Sequence, residues 1–503
     1  MSSPFKDLAK QVKNKKLKIH NIFSEENIQR LFGHEAAEDE NTDRLKEYYF
    51  KNDIFEQVSA DLKLRILVGH KGIGKSALFK IAAAEDFDNG ILPIEIKPND
   101  VSGIAESTDR FLELIRAWNE GIRGIIADKA IRYFTEESSK KMSNKIPSTG
   151  KLLTTISDTL KGIAIADKAK MSVYENFQRN KRINVYIDDL DRGWQGKNED
   201  ITRISALLNA VRDISNELEN VHFKVSLRSD VYYLVRTSDE STDKIEGSVV
   251  WYTWHNTQIL ALLAKRVETF YGREIAEEDL MSLHQSKIAQ YLKPIMTQTF
   301  DGVGKWNGAP IYRILMSLVR KRPRDLVKLC SLAARQARLN KHSIIQTIDF
   351  QGIFENYSLE RIQDIDNEFR SELPDIRRLL FALKPSVKKA RKYSDSYVYS
   401  TEQIESKIST VAAESPFFFS KKPDRPATAN DLLFFLYKIN FLTARRVNKD
   451  DVTVRKTFEE NKYLTASFVD FGFGWEVHPA YRWALEPDDG TSIYQRLELI
   501  DFE

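Results

Sequence analysis

The sequence predicts an α/β fold built on a parallel sheet, and three observations predict it. A glycine loop, Gly69-His70-Lys71-Gly72-Ile73-Gly74-Lys75-Ser76, lies between an apolar run (Leu64, Ile66, Leu67, Val68) and a helical run, Ala77 to Ala84. A second apolar run, Ile183, Val185 and Ile187, ends in carboxylates, Asp188, Asp189 and Asp191. Between them and beyond, strand-like pieces alternate with helical patterns as far as Tyr271, the signature of a sheet covered on both faces.

The loop matches G-x-x-x-x-G-K-[ST], and its flanks are those a phosphate cradle requires. Backbone N–H groups from Gly69 to Ala77 point into such a loop, and the following helix adds positive potential. Lys75 is placed to reach the β- and γ-phosphates of a nucleotide, and Ser76 to give an oxygen to Mg²⁺. A glycine-bearing turn that matches by chance is the alternative.

The carboxylates at the end of 183–187 stand where ligands sit in open α/β sheets. Asp188 is placed to hold Mg²⁺ through water, and Asp189, one residue further out, to polarise an attacking water. Alone, this run reads equally as a helix cap or turn; downstream of the loop it reads as a hydrolytic edge.

Taken in order, residues 1–60 form an N-terminal helical segment. Its lysine-rich start (Lys6, Lys10, Lys13, Lys15, Lys16, Lys18) reads as a solvated tail or a nucleic-acid or partner contact. Tyr48, Tyr49, Phe50, Ile54 and Phe55 form an apolar stripe that packs on the next domain. The core covers 61–272, with strands at 64–68, 91–97, 183–187, within 221–233 and at 248–254, and an insertion at about 136–182. The strand at 91–97 separates the acidic strand from the loop helix, an order that resembles the ATPase branch with an added central strand. Val221 to Tyr233 reads as a strand and its loop. Ser226 and Arg228 lie there at a γ-phosphate sensor position, with a satisfied Ser and a surface Arg as the alternative.

Residues 273–372 read as an all-helical lid, in which Pro323 starts a helix. Arg322 and Arg324 at that start oppose the helix dipole and need an anionic partner, a nucleotide phosphate or an ion-pair network. Asn356 to Glu372 reads as charged and connecting. Residues 373–503 read as a separate unit, with an apolar helix at Leu432 to Leu442 and a terminal hairpin of 463–469 and 474–478. A basic cluster, Lys384, Lys388, Lys389, Arg391 and Lys392, lies within it.

Composition bounds the function. Lys+Arg 76 against Asp+Glu 73 leaves a formal charge of only +3, so any nucleic-acid contact must come from local basic patches. One cysteine, Cys330, excludes an internal disulfide framework and suits a buried thiol in a reducing, cytoplasmic compartment. The N-terminus lacks an apolar signal segment, and no apolar run reaches the 18 residues a membrane span needs.

GHKGIGKS, IDDLDR, the LRSD position and the RPRDL helix together resemble bacterial P-loop ATPases of the AAA+/STAND superclass. IDDLDR is particularly similar to KAP-type NTPases, although this chain lacks the membrane helices common there, which suits a soluble cousin. The resemblance implies a three-layer P-loop NTPase core with a parallel sheet, followed by a helical lid and a C-terminal winged-helix-like domain. It also implies ATP/ADP and Mg²⁺ as ligands, a homo-oligomer, a separate effector or partner protein, and a setting in anti-phage defence. On this reading Lys75, Asp188, Asp189 and Arg228 carry catalysis, and Gly69 to Ala77 with Arg324 hold the nucleotide. Arg192, Arg203, Arg212 and Arg228 are the arginines placed to act from a neighbouring protomer. His478, in the C-terminal unit, stands where a histidine touches the β-phosphate in some STAND proteins. A nucleotide-gated scaffold, or a nucleic-acid sensor with little turnover, is the alternative function.

Overall fold

The computed structural model of the chain describes residues 22–104, 110–141, 182–238, 240–385, 397–447, 453–460, 473–486 and 493. The lysine-rich start, most of the insertion (142–181), the basic residues 388–392 and the strand expected at 463–469 lie outside them.

Five parallel strands form the central sheet: β1 Leu64–Val68, β2 Leu92–Ile96, β3 Ile183–Ile187, β4 Val221–Leu227 and β5 Val249–Trp251, in the order β2-β3-β4-β1-β5. The strand inserted between the loop strand and the acidic strand is therefore β4, with Ile66 opposite Val225 and Val185 opposite Phe223. The strand at 91–97 lies at the sheet edge instead. Apolar side chains leave both faces, as a sheet covered on two sides demands. Ile66, Val68, Ile94 and Val185 pack under the helices Phe111–Lys141, Asn198–Glu217 and Ser229–Ser238. Leu67, Tyr186 and Val250 face the other way, against Phe79 and Ile81 of the helix Lys75–Asp88.

This second face continues into the N-terminal segment and the lid, which share one core with it. Of the expected apolar stripe, Tyr48, Tyr49, Phe50 and Phe55 are buried in it and Ile54 packs against it partly buried; Leu45 joins them, beside the helix Asn256–Phe270. Cys330 is fully buried there.

The sequence reading departs from the structure at identifiable places. Ser229–Ser238 is a helix and not a loop, because Val231, Tyr232 and Val235 bury against the 198–217 helix side. The polar run from Glu137 begins as the last turns of the long helix ending at Lys141. The lid is not wholly helical: β6 Thr299–Phe300 pairs with β7 Ala309–Pro310, and their hairpin carries Trp306 into the core. Of the stretch 356–372, expected as a charged connector, residues 356–369 belong to a helix, Phe354–Phe369. Its Tyr357 enters the lid core and its Ile362, Ile365 and Phe369 enter the C-terminal core, so one helix serves both. Its charged appearance misled because Arg361 and Asp366 are buried in pairs.

The C-terminal unit runs helix (Ile376–Ala382), β8 Val398–Tyr399, helix (Thr401–Glu414), helix (Ala429–Lys438), β9 Leu442–Val447, β10 Thr453–Lys456 and β11 Gly474–Val477. The apolar helix stops at Lys438, and Asn440 turns the chain with φ 57° into β9. Asparagine tolerates this left-handed geometry better than most residues. Strand β11 pairs with β8 and β9, giving the order β10-β9-β11-β8. Trp483 then leaves this unit for the lid core, 4.8 Å from the Phe354 ring and 5.9 Å from Trp306. No helix among the described residues is long and apolar enough to cross a membrane.

Candidate phosphate site at the carboxyl edge of the sheet

Strand β1 ends at Val68, and the loop that follows turns on two glycines with positive φ, Gly72 (80°) and Gly74 (108°). Only glycine takes the second of these angles without strain. Gly69 is tied to β4 through its N–H and the Leu227 carbonyl (3.2 Å), and Trp254 Nε1 donates to the Ile73 carbonyl (2.8 Å). The helix starts at Lys75, so its first N–H groups, from Lys75, Ser76 and Ala77, have no partner one turn earlier in the helix. Lys75 Nζ donates to the carbonyls of Gly69 (2.7 Å) and His70 (3.3 Å). Burial pulls the Lys75 pKa down, and Asp191 followed by Asp188 opposes that pull.

At the neighbouring strand ends, Ser226 Oγ donates a short hydrogen bond to Asp188 Oδ1. The residues expected as sensor and Mg²⁺ ligand are thus one hydrogen-bonded pair across β4 and β3. Asp189 is exposed, with φ 60°. Asp191, singled out by no role in the sequence, is buried, and its Oδ2 accepts the Arg228 N–H at 2.8 Å. Burial pushes its carboxyl pKa up, against the pull of Arg228 and Lys75. The spacing of the acidic run was the available signal, since Asp191 follows Asp188 by three residues and returns to the same edge.

Arg228 differs from the free sensor of the sequence reading. Its guanidinium grips Asp230 through two bonds (3.1 and 2.6 Å), lies 3.6 Å from Glu368 and stacks 5.2 Å from the Phe369 ring. It joins the β4 loop to the 354–369 helix. Of the other arginines considered, Arg203 donates to the Ile104 carbonyl (3.1 Å), and Arg192 is exposed.

The lid reaches the loop through the start of the helix Pro323–Leu339. Arg324 N–H lies 3.4 Å from the Gly72 carbonyl, and its stem covers Gly72 so closely that an added Cβ would stand 3.1 Å from it. Arg320 is consumed by an ion-pair cluster, with two bonds to Asp325 (2.6 and 2.8 Å), while Arg361 donates to Asp325 at 2.8 Å. Arg322 is different. It is 5% exposed and its Nε has no hydrogen-bond partner among the described residues. Burial and Arg320 pull its pKa down. A buried guanidinium whose Nε is unbonded suits an anion better than the half-exposed Arg324 does.

The C-terminal unit closes over the same edge. The Glu459 carboxylate meets His70 Nε2 of the loop, and Lys321 pairs with Glu460 (2.7 Å). Tyr233 packs against Phe434 with its ring tilted and against Phe458 edge-on. Tyr481 OH accepts from Arg320 at 2.6 Å. His478 instead caps the turn 479–481, accepting the Ala480 N–H at 3.2 Å. The histidine within the phosphate loop itself is His70.

Among known proteins, residues 260–366 match the model of the FunZ-associated C-terminal helical domain. The chain is 22% identical over 336 residues to the putative transposon gamma-delta 80.3 kDa protein of Escherichia coli K12. That match covers 64% of this chain and 43% of the relative, so the chain spans less than half of that protein's length. Among solved structures, the Aeropyrum pernix ORC2 protein in its ADPNP-ADP complexes aligns over 83% of this chain and 89% of its own, at 9% identity and a TM-score of 0.38. The Aeropyrum pernix ORC1 protein in complex with DNA aligns over 93% and 96%, at 12% identity and 0.31. The Thermotoga maritima RuvB Holliday junction branch migration motor aligns over 69% and 77%, at 11% identity and 0.29.

Proposed function

We propose that this chain is a Mg²⁺-dependent ATP-binding and hydrolysing switch whose nucleotide state governs self-assembly or engagement of a partner protein. One observation carries the reading: the glycine loop with Lys75 and Ser76 shares one sheet edge with the Ser226–Asp188 pair. Phosphoryl transfer asks mainly for positioned charge, and this edge supplies it.

The residues fit both ligands. Lys75 exchanges its two carbonyl partners for phosphate oxygens, and the loop N–H groups cradle the remainder. Ser76 and Asp188 would hold Mg²⁺, which neutralises phosphate charge when bound. Two protein ligands suffice because Mg²⁺ keeps several waters and takes substrate phosphates. Ser226 fixes the Asp188 carboxylate by their hydrogen bond. Asp189 orients the attacking water from its exposed position, and Arg322 supplies a buried lid cation. Arg228 acts as a strut that relays the state of this edge to the 354–369 helix.

The lid match at 260–366 and the helix-strand-helix-helix-strand order of the C-terminal unit support a helical lid followed by a winged-helix-like reader. The family resemblance adds self-assembly and a defence setting in the bacterial cytoplasm. A nucleotide-gated scaffold remains the second reading because Arg228, the expected sensor, is held by Asp230 and Glu368. Steady-state hydrolysis separates the two. Asp189→Ala is expected to bind the ATP analogue like wild type and to lose turnover by about a hundredfold or more, the scale of a lost general base. Wild-type turnover in Asp189→Ala, with binding intact, overturns the enzyme reading in favour of the scaffold.

A further inference from the structure

A concavity of about 500 Å³ opens where the helix Phe354–Phe369 gives way to the helix Ile376–Ala382, with Asp366, Arg370, Pro374, Arg377 and Phe381 in its lining. None of these residues belongs to the nucleotide site. Asp366 organises it, with a side chain only 1% exposed. Its carboxylate accepts Arg370 Nε at 3.0 Å and a second bond from Arg370 Nη2, and Arg377 Nη1 stands 3.9 Å from the same oxygen. One buried carboxylate thus draws two guanidiniums together, while both stay more than half exposed, at 59% and 53%. Arg378 is spent elsewhere, on Asp375 (3.6 Å), on the Ser415 carbonyl (2.8 Å) and on the Phe417 ring. With Arg370 matched to Asp366 and Arg378 to Asp375, the surplus charge is that of Arg377. Its nearest polar partner is neutral, Gln363 Oε1 at 3.2 Å, and it lies over the Phe381 ring at 5.6 Å. Arg370 keeps Nη1 for a further acceptor, and the Asp366 fork has already ordered it, so a ligand loses less side-chain entropy there.

We infer that this concavity docks an acidic peptide segment of a partner protein, with a carboxylate on Arg377 and Arg370 and an apolar side chain on Pro374 and Phe381. The inference rests on the partner engagement proposed above and names the surface for it. Arginine forks take carboxylates in matched pairs of hydrogen bonds, and exposed Pro374 and partly buried Phe381 put apolar surface beside them. A small anion would stay largely in solvent between two exposed arginines, whereas small-molecule sites bury most of their ligand. A nucleic-acid backbone binds by having several phosphates neutralised, and a surplus of one charge beside Asp366 and Asp375 does not supply that. Asp366 and Arg370 also flank Glu368, whose carboxylate lies 3.6 Å from Arg228. The docked segment therefore sits on the helix that reaches the carboxyl edge of the sheet.

The test titrates the full chain, without nucleotide, against a fluorescent capped pentapeptide of Glu and Asp around one Phe. A Gln and Asn counterpart, a Lys counterpart and a single-stranded oligonucleotide serve as comparisons. Wild type is expected to bind the acidic peptide saturably and about tenfold or more tighter than the Gln and Asn counterpart, the scale of a charge-assisted pair. Arg377→Glu, an exposed change whose folding is checked by its urea midpoint, is expected to lose the acidic peptide by about tenfold or more and to gain the Lys counterpart. Arg377→Lys keeps the charge without the fork and falls between the two. No saturable binding by wild type, or equal affinity in wild type and Arg377→Glu, overturns the inference. Oligonucleotide binding tighter than the peptide and lost in Arg377→Glu also overturns it, in favour of a nucleic acid. Peptide binding is read without nucleotide, so these outcomes leave the phosphate site standing, whereas failure of that site shows in the titration with ATP analogue alone.

Discussion

The Arg228 backbone N–H donates to Asp191 Oδ2 over 2.8 Å, tying the turn after β3 to the start of the 229–238 helix. Asp191 is buried and the Arg228 end is partly so, so the bond is costly to leave unmade. Asp191→Ala strands that N–H and is expected to cost about 1–3 kcal/mol in urea unfolding. Asp191→Asn keeps an acceptor and recovers most of the loss. An Ala variant as stable as wild type would show that the bond contributes nothing.

Asp325 holds two arginines at once, Arg320 through two bonds and Arg361 through one. The three charges are buried, and the arginines keep the Asp325 carboxyl far below its usual range despite its burial. Asp325→Ala leaves uncompensated buried cations next to Arg322, and the expected loss is about 3–5 kcal/mol by denaturant titration. Arg324, which stands outside this cluster, should tolerate Ala within about 1 kcal/mol, the usual range for a half-exposed side chain.

Trp483 belongs to the C-terminal chain but fills the lid core between Trp306 and Phe354. Trp483→Ala should destabilise by about 3–5 kcal/mol, as expected for deleting a buried indole. The lid and the C-terminal unit should then melt in two calorimetric transitions where the wild type shows one. A single unchanged transition contradicts the account of a shared core.

His478 is partly buried, and desolvation with Arg320 pulls its pKa from 6.5 to about 3. The folded chain thus binds its proton less readily than the unfolded chain does. Above pH 6.5 neither state is protonated and the stability is complete. Between 6.5 and about 3 the unfolded state takes up the proton first, so stability falls with pH at up to ~1.4 kcal/mol per unit from this group. Urea midpoints at pH 7.5 and 5 should differ less in His478→Gln than in wild type, and equal slopes would remove the residue from the pH response.

The loop, the acidic strand and all five strand positions were legible because each is local: glycine spacing, alternating apolar residues and a terminal carboxylate run. The core stripe from Tyr48 to Phe55 was legible for the same reason. What sequence could not supply was pairing at a distance. Strand β4 sits between β1 and β3, and no local pattern states which strand neighbours which. The 354–369 helix looked like a connector because Arg361 and Asp366 are charged, and their burial becomes visible only with their partners. Motif position alone points to Arg324 for the nucleotide, whereas the structure buries Arg322 and leaves its Nε without a hydrogen bond among the described residues. Likewise Glu459 carries no motif, and only the fold brings it to His70.

The central claim is that the loop Gly69–Ser76 binds ATP with Mg²⁺, and equilibrium titration of ATP analogue against wild type and Lys75→Ala tests it most directly. Saturable one-site binding by wild type, weakened by EDTA and lost by about a hundredfold or more in a folded Lys75→Ala, is the predicted result, since a charge-assisted pair to phosphate is removed. Equal affinity in the two proteins, or no binding by wild type, would contradict the account.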